Sequence, residues 1–322
     1  MSDKNISRRD FLKRTGIAVA LSACFGWLGS FFYNRNIIPK TDAVKKVKNF
    51  SIAGTEGRIT TVYSKDAIAG VNTALESLGG LSTFVNQGDK VLLKPNCAFD
   101  RPAHLGATTS PEVIGEVTRL CVELGAEVRV TDNPINNPAG CFAKSGIGEA
   151  VIKNGGFVWL PSQELFKTTA IGSYIVKEWT ALYEPLAWAD KIIGIPTLKS
   201  HNLCLASLCM KNWYGLIGGG RNQFHQEIHK VIADLGQFIT PTLVILDGTR
   251  ILLTNGPTGG SPSDVMPGNV IIAGTDQVAI DARALSFLNL TVSDVEYIKL
   301  AEEKGVGISD FNKLSWNKTI TV

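Results

Sequence analysis

The chain has 322 residues, 44% of them hydrophobic and 19% charged, an ordinary globular composition with enough length for one large core. Its formal net charge of +3 is carried by the first 33 residues, where five basic residues face two acidic ones, so the remainder is neutral. A neutral body has no overall field with which to hold nucleic acid by its phosphates, and that class of partner is set aside.

Residues 1–33 read as an export signal or membrane anchor. Ser7-Arg8-Arg9-Asp10-Phe11-Leu12-Lys13 matches the twin-arginine pattern S-R-R-x-F-L-K at every fixed position, in a basic segment that precedes an apolar stretch. That stretch, Gly16 to Tyr33, has 18 residues and no charge. It is at the short end of the ~17–25 residues that span a bilayer. No A-x-A cleavage site follows it, whereas Leu21-Ser22-Ala23-Cys24 resembles a lipobox that would place a lipid on Cys24. The continuing aromatic run after Cys24 favours an uncleaved anchor over cleavage or lipidation. The expected partner is the twin-arginine translocase, which carries folded proteins, and the expected location is the periplasm or the outer face of the cytoplasmic membrane.

Residues 34–50 form a polar linker, and residues 51–322 read as a single α/β domain. Ile59 to Tyr63 predicts a strand, and Asp66 to Leu78 an amphipathic helix with Ile68, Val71, Leu75 and Leu78 on one face. Lys90 to Lys94 predicts a short buried strand. Ser110-Pro111-Glu112 starts a helix that runs to Leu124, with Ser110 as N-cap and proline in the first turn. Glu127 to Thr131 is the next strand, which completes a βαβ unit. Further strands are expected at Phe157–Leu160, Ile171–Val176, Lys191–Ile195, Leu243–Leu246 and Val270–Ala273. Helices are expected at Leu205–Leu216, Gln226–Phe238, Gln277–Leu288 and Ser293–Glu303, the last capped by Ser293. Short apolar strands between helices imply a mostly parallel sheet covered on both faces.

In such a sheet, ligands bind beyond the carboxyl ends of the strands. The polar residues there are Lys94, Asn96 and Cys97 after one strand and Asp132 after another. Lys199 and His201 follow a third, and Asp247 a fourth. Lysine is rarely buried unless paired, so lysines directly after core strands point to anion binding or proton movement. Lys199, His201 and Asp247 are the candidate catalytic residues. Lys94, Asn96, Asp132, Lys211 and Asn212 are the candidate substrate contacts. The plain alternative is that strand-end Asp and Asn residues only cap loops.

His225 and His229 are spaced i, i+4 and could share one helix face toward a metal, although Glu227 is misplaced for a zincin. Gly215, Gly218, Gly219 and Gly220 precede Arg221 without Walker or Rossmann spacing, and Gly256-Pro257 marks a turn. The five cysteines beyond the signal are odd in number and cannot all pair internally. Cys97, Cys204 and Cys209, with His201 nearby, form a candidate metal set.

Taken together, several segments resemble the bacterial and archaeal family known as domain of unknown function 362. They are Lys94-Pro95-Asn96, Thr109-Ser110-Pro111, Asp132, Ile195 through His201, Lys211-Asn212 with Gly215, Asp247-Gly248, Gly256-Pro257, and Asp276 through Asp281. They fall in order between about Leu92 and Leu288. The resemblance implies no settled reaction. Many relatives carry ferredoxin-like cysteine runs and are described as iron–sulfur proteins. This chain has no such run and resembles the twin-arginine-exported members that lack it. Two readings follow. One is an exported enzyme acting on a small anionic substrate. The other is a non-catalytic, cofactor-carrying or redox-partner protein, with a metal or iron–sulfur cluster as the candidate cofactor.

Overall fold

A computed structural model describes residues 43–322; the motif around Arg8 and Arg9, and Cys24, lie outside the described residues. Val44–Val322 form one compact unit. No helix among the described residues is long and apolar enough to cross a membrane.

The elements in chain order begin with β1 (Arg58–Tyr63), α1 (Ala67–Ser77), β2 (Lys90–Pro95), α2 (Pro111–Glu123) and β3 (Glu127–Val130). Two short helices, α3 (Pro138–Lys144) and α4 (Ile147–Lys153), lead to β4 (Phe157–Val158). A hairpin of β5 (Phe166–Ala170) and β6 (Glu178–Leu182) precedes α5 (Tyr183–Trp188) and β7 (Lys191–Ile195). Then come β8 (Thr197–His201), β9 (Leu205–Ser207), α6 (Cys209–Asn212) and α7 (Ile228–Phe238). The chain closes with β10 (Leu243–Leu252), β11 (Val265–Gly274), α8 (Gln277–Ala284), α9 (Glu296–Glu303) and β12 (Trp316–Thr321).

The main sheet runs β12-β1-β11-β10-β7-β2-β3-β4, with β8 beside β10 and β9 beside β8. Only β11 opposes the others along that main path, because β1 and β10 both pair with it antiparallel. The fold is thus α/β with a mostly parallel mixed sheet. Strand side chains alternate between two cores, as the pleat requires. Val91 and Leu93 pack with α1, α2 and α4, whereas Leu92 packs with α6, α7 and α8. Ile192 and Ile193 divide in the same way.

Several expected elements differ. Ile68 is 47% exposed, and the core face of α1 is made by Val71, Ala74 and Leu75. Ser110 makes no side-chain cap; its hydroxyl lies 2.8 Å from Thr249 Oγ1 instead. Ile171–Val176 is the turn of the β5–β6 hairpin, not a strand. The Asp234 carboxylate accepts the N–H groups of Ser173, Tyr174, Ile175 and Val176, and this folds the segment back. Leu205–Leu216 is not one helix. Its first three residues pair with β8 as β9, α6 spans only four residues, and Trp213–Leu216 is a 3-10 turn. Thr291, rather than Ser293, caps the turn before α9, with Asp294 completing a capping box.

Candidate functional site

The carboxyl ends of β2 and β3, together with β8 and α6, surround a cavity of about 880 Å³. The β5–β6 hairpin contributes Phe166 and Thr180 to its wall. Of the charged residues that line it, four are basic, Lys94, Lys199, Lys211 and Arg221, and only Asp132 is acidic.

Lys94 follows Leu92 by two residues, so it points to the face where α6 lies. Its ammonium is 2.9 Å from Asp132 Oδ1 and donates to Pro95 O (2.7 Å) and Asn212 Oδ1 (3.1 Å). Three acceptors use all three N–H bonds of a charged lysine. Burial pushes its pKa down, and the Asp132 carboxylate opposes that push. Asp132 in turn accepts from the Cys97 and Asn133 amides. Asn212 Nδ2 donates back to Lys94 O, which locks α6 to β2. A Cβ on Gly215 would collide with Asp132 Oδ1 and lie 2.8 Å from Lys94 Nζ, so the turn after α6 approaches this pair as only glycine permits. The start of α6 is fixed from behind by Asp281, which accepts from the Cys209 and Met210 amides.

On β8, Thr197, Lys199 and His201 share one face by the two-residue period, and this brings Lys199 and His201 together in the cavity wall. Lys199 is 1% exposed and, among the described residues, has no carboxylate partner. Its Nζ donates to Ala107 O at 2.6 Å and to Asn96 Oδ1 at 3.4 Å, and lies 5.1 Å from the Phe99 ring centre. Burial, followed by repulsion from Lys211, brings its pKa down to about 7. His201 Nδ1 accepts the Leu203 amide at 3.1 Å, which assigns the ring proton to Nε2. Burial, then the positive charge of Lys211 and Lys199, hold this imidazole neutral, with its pKa down to about 2. Lys211 Nζ has no hydrogen-bond acceptor among the described residues; it sits 4.8 Å from the Tyr214 ring centre. Arg221 is satisfied by the carbonyls of Tyr214, Ile217 and Asn133, so it organises the glycine-containing turn while adding positive potential. That turn is held in place: Gly218 N–H donates to Thr180 O, and Trp179 Nε1 donates to Gly218 O.

Lys94, Asn96, Asp132, Lys199, His201, Lys211 and Asn212 therefore share one cavity, and His225 joins them. Asp247 does not, which corrects its assignment as a catalytic residue. It lies in the middle of β10, where its carboxylate accepts the Ser110 amide at 2.7 Å and the Thr249 amide and hydroxyl. Its work is to tie β10 to the start of α2. The proposed metal ligands are not brought together either. Cys97 Sγ is beside Ser145, Cys204 Sγ is 3.2 Å from Ala206 O, and Cys209 is against Asp281. Burial raises the Cys204 thiol to about 11 and holds Cys97 and Cys209 above their ordinary value, away from the ligating thiolate. His225 belongs to a 3-10 turn that ends before α7, so it shares no helix face with His229, which packs against Tyr297. No group of three or more His, Cys, Asp or Glu among the described residues is placed to hold a metal ion. Phe99, Phe166, Tyr214 and Arg221 are lining residues that the sequence reading did not assign. For Arg221 the glycine run before it was the available signal.

The model of a family described as "Domain of unknown function (DUF362)" matches residues 91–286. The thylakoid-associated protein sll1697 of Synechocystis sp. is 28% identical over 255 residues, 74% of this chain and 75% of that protein. The lactate racemase apoprotein of Thermoanaerobacterium thermosaccharolyticum is 14% identical with a TM-score of 0.39, over 75% of this chain and 58% of that chain.

Proposed function

Because the chain belongs to the DUF362 family, whose description names no reaction, we propose from the cavity itself that this protein is an enzyme that binds a small organic anion and moves a proton on it. The observation that carries the reading is the imbalance of four basic groups against one carboxylate in a partly apolar cavity at the carboxyl edge of the sheet. Asp132 is fully engaged with Lys94, which leaves Lys199 and Lys211 without a counter-ion. Lys211, with no acceptor of its own, binds the anion. His201 Nε2–H donates to a substrate oxygen. Lys199, whose pKa is about 7, exchanges the proton, as general acid–base chemistry near neutral pH requires. Phe99, Phe166 and Tyr214 receive the apolar part of the substrate. On the export motif around Arg8 and Arg9, the enzyme reaches the periplasmic side through the twin-arginine translocase.

Calorimetry with a panel of small carboxylates and phosphate esters tests the reading. At least one class should bind, more weakly with rising salt, and Lys211→Ala should weaken it by about tenfold, the worth of one charge-assisted hydrogen bond. Failure of every anion to bind, or binding indifferent to Lys211→Ala, would overturn it.

A further inference from the structure

Lys199 and Lys211 are not equivalent. A neutral amine has two N–H bonds and one lone pair, and Lys199 Nζ has two acceptors, Ala107 O and Asn96 Oδ1. With both N–H bonds so occupied, the remaining position on nitrogen is the lone pair of an amine that lines the cavity. Lys211, whose pKa burial also lowers, differs in resting on the Tyr214 ring with no acceptor taken among the described residues, so its donors are free for an anion. An amine nucleophile beside a second cation is the arrangement that condenses with the carbonyl group of an anion.

We infer that Lys199 is an amine nucleophile that forms a Schiff base with the carbonyl carbon of a small 2-oxo carboxylate whose carboxylate group is held by Lys211. This rests on the anion site proposed above and names its substrate class. The step balances without an oxidant or a reductant. The Nζ lone pair attacks the carbonyl carbon, the C=O π pair moves to oxygen, and the proton lost by nitrogen is taken up there to give a carbinolamine. Water then leaves as the C=N bond forms. His201 Nε2–H is placed to hydrogen-bond the oxygen while charge develops on it. The resulting imine draws electrons from the adjacent carbon and eases proton loss there, so that in this deeper reading Lys199 serves the proton movement through its imine and not as a free base.

The test is reductive trapping. Full-length protein is incubated with pyruvate and cyanoborohydride at neutral pH, then read by intact mass and peptide mapping. One adduct is expected, on Lys199, and it should be absent from Lys199→Met. Lys211→Ala should slow trapping of pyruvate about tenfold more than trapping of acetone, which lacks the carboxylate and is slowed only because Lys199 loses the repulsion that lowers its pKa. The trapping rate should rise with pH through about 7, as the free amine appears. The wild-type peptide map identifies the lysine even if a variant fails to fold. An absent adduct, an adduct on Lys211, or labelling spread over exposed lysines overturns the inference. Propionate, a carboxylate without the carbonyl, separates the two levels. If it stabilises the protein while pyruvate leaves no adduct, the anion site stands and the Schiff base falls. If neither propionate nor pyruvate binds, the anion site itself has failed.

Discussion

Lys94 and Lys199 are both buried, and their surroundings set them to opposite tasks. Lys94 faces a carboxylate at 2.9 Å and two further oxygens, so its charge is compensated and structural. Removing one partner of such a pair strands the other. Asp132→Asn should cost about 3–5 kcal/mol in denaturant unfolding, and the double change Lys94→Met with Asp132→Leu should recover most of it. A mild Asp132→Asn would mean that the pair is wet rather than buried. Lys199 has no such partner. In the unfolded chain a lysine binds its proton up to about 10.5, and in the folded protein Lys199 does so only to about 7. Between these values the unfolded state binds more protons, so native stability rises with pH across that window. The destabilisation is present in full below about pH 7 and fades toward 10.5. Lys199→Met should therefore raise the unfolding midpoint at pH 6, with the gain shrinking as pH increases above about 7. An equal gain at every pH would show that packing, not charge, is responsible.

At the scale of elements, the site depends on how closely α6 and its following turn approach β2 and β3. Trp213 packs where Gly194 of β7 has no side chain, and its indole donates to Gln277 Oε1 at 2.7 Å. Two residues on, Gly215 sits against the Lys94–Asp132 pair. Gly215→Ala should push the turn outward, costing about 1–3 kcal/mol of stability as overpacking does and abolishing anion binding through displaced Lys211. Thermal unfolding and calorimetry would check both, and an unchanged variant would refute the close approach. The strands that carry Lys94 and lead to Lys199 were legible because KVLLK and KIIGI are short apolar runs, whose carboxyl ends are then fixed by topology. Asp247 was misplaced because LVIL looks like a complete strand. In the fold, β10 continues through Asp247 and Gly248 with a register shift, since strands on both sides still supply partners. Leu205–Leu216 has helical spacing, yet pairing with β8 draws Leu205–Ser207 into a hairpin. Phe99, Phe166 and Tyr214 reach the cavity from separate segments, and no local pattern encodes that convergence.

At the scale of the whole molecule, the cysteines bear on the proposed export route. Cys97, Cys121, Cys141, Cys204 and Cys209 are all free and buried. A chain threaded unfolded into an oxidising compartment would expose these thiols to one another before a core could cover them, and mispaired disulfides would compete with folding. Export after folding would avoid that exposure, which gives the proposed twin-arginine route a physical reason that needs no cofactor. Two results are expected. Replacing both Arg8 and Arg9 by lysine should leave the protein in the cytoplasm. Wild-type protein recovered on the proposed route should leave these five thiols unlabelled by a maleimide under native conditions and open to it once denatured. Rerouting the same mature sequence behind a signal for unfolded export should yield protein with fewer free thiols and less of the native cavity. Undiminished export in a strain without the twin-arginine translocase would refute the route. A rerouted protein with all five thiols free would refute the reason offered for it.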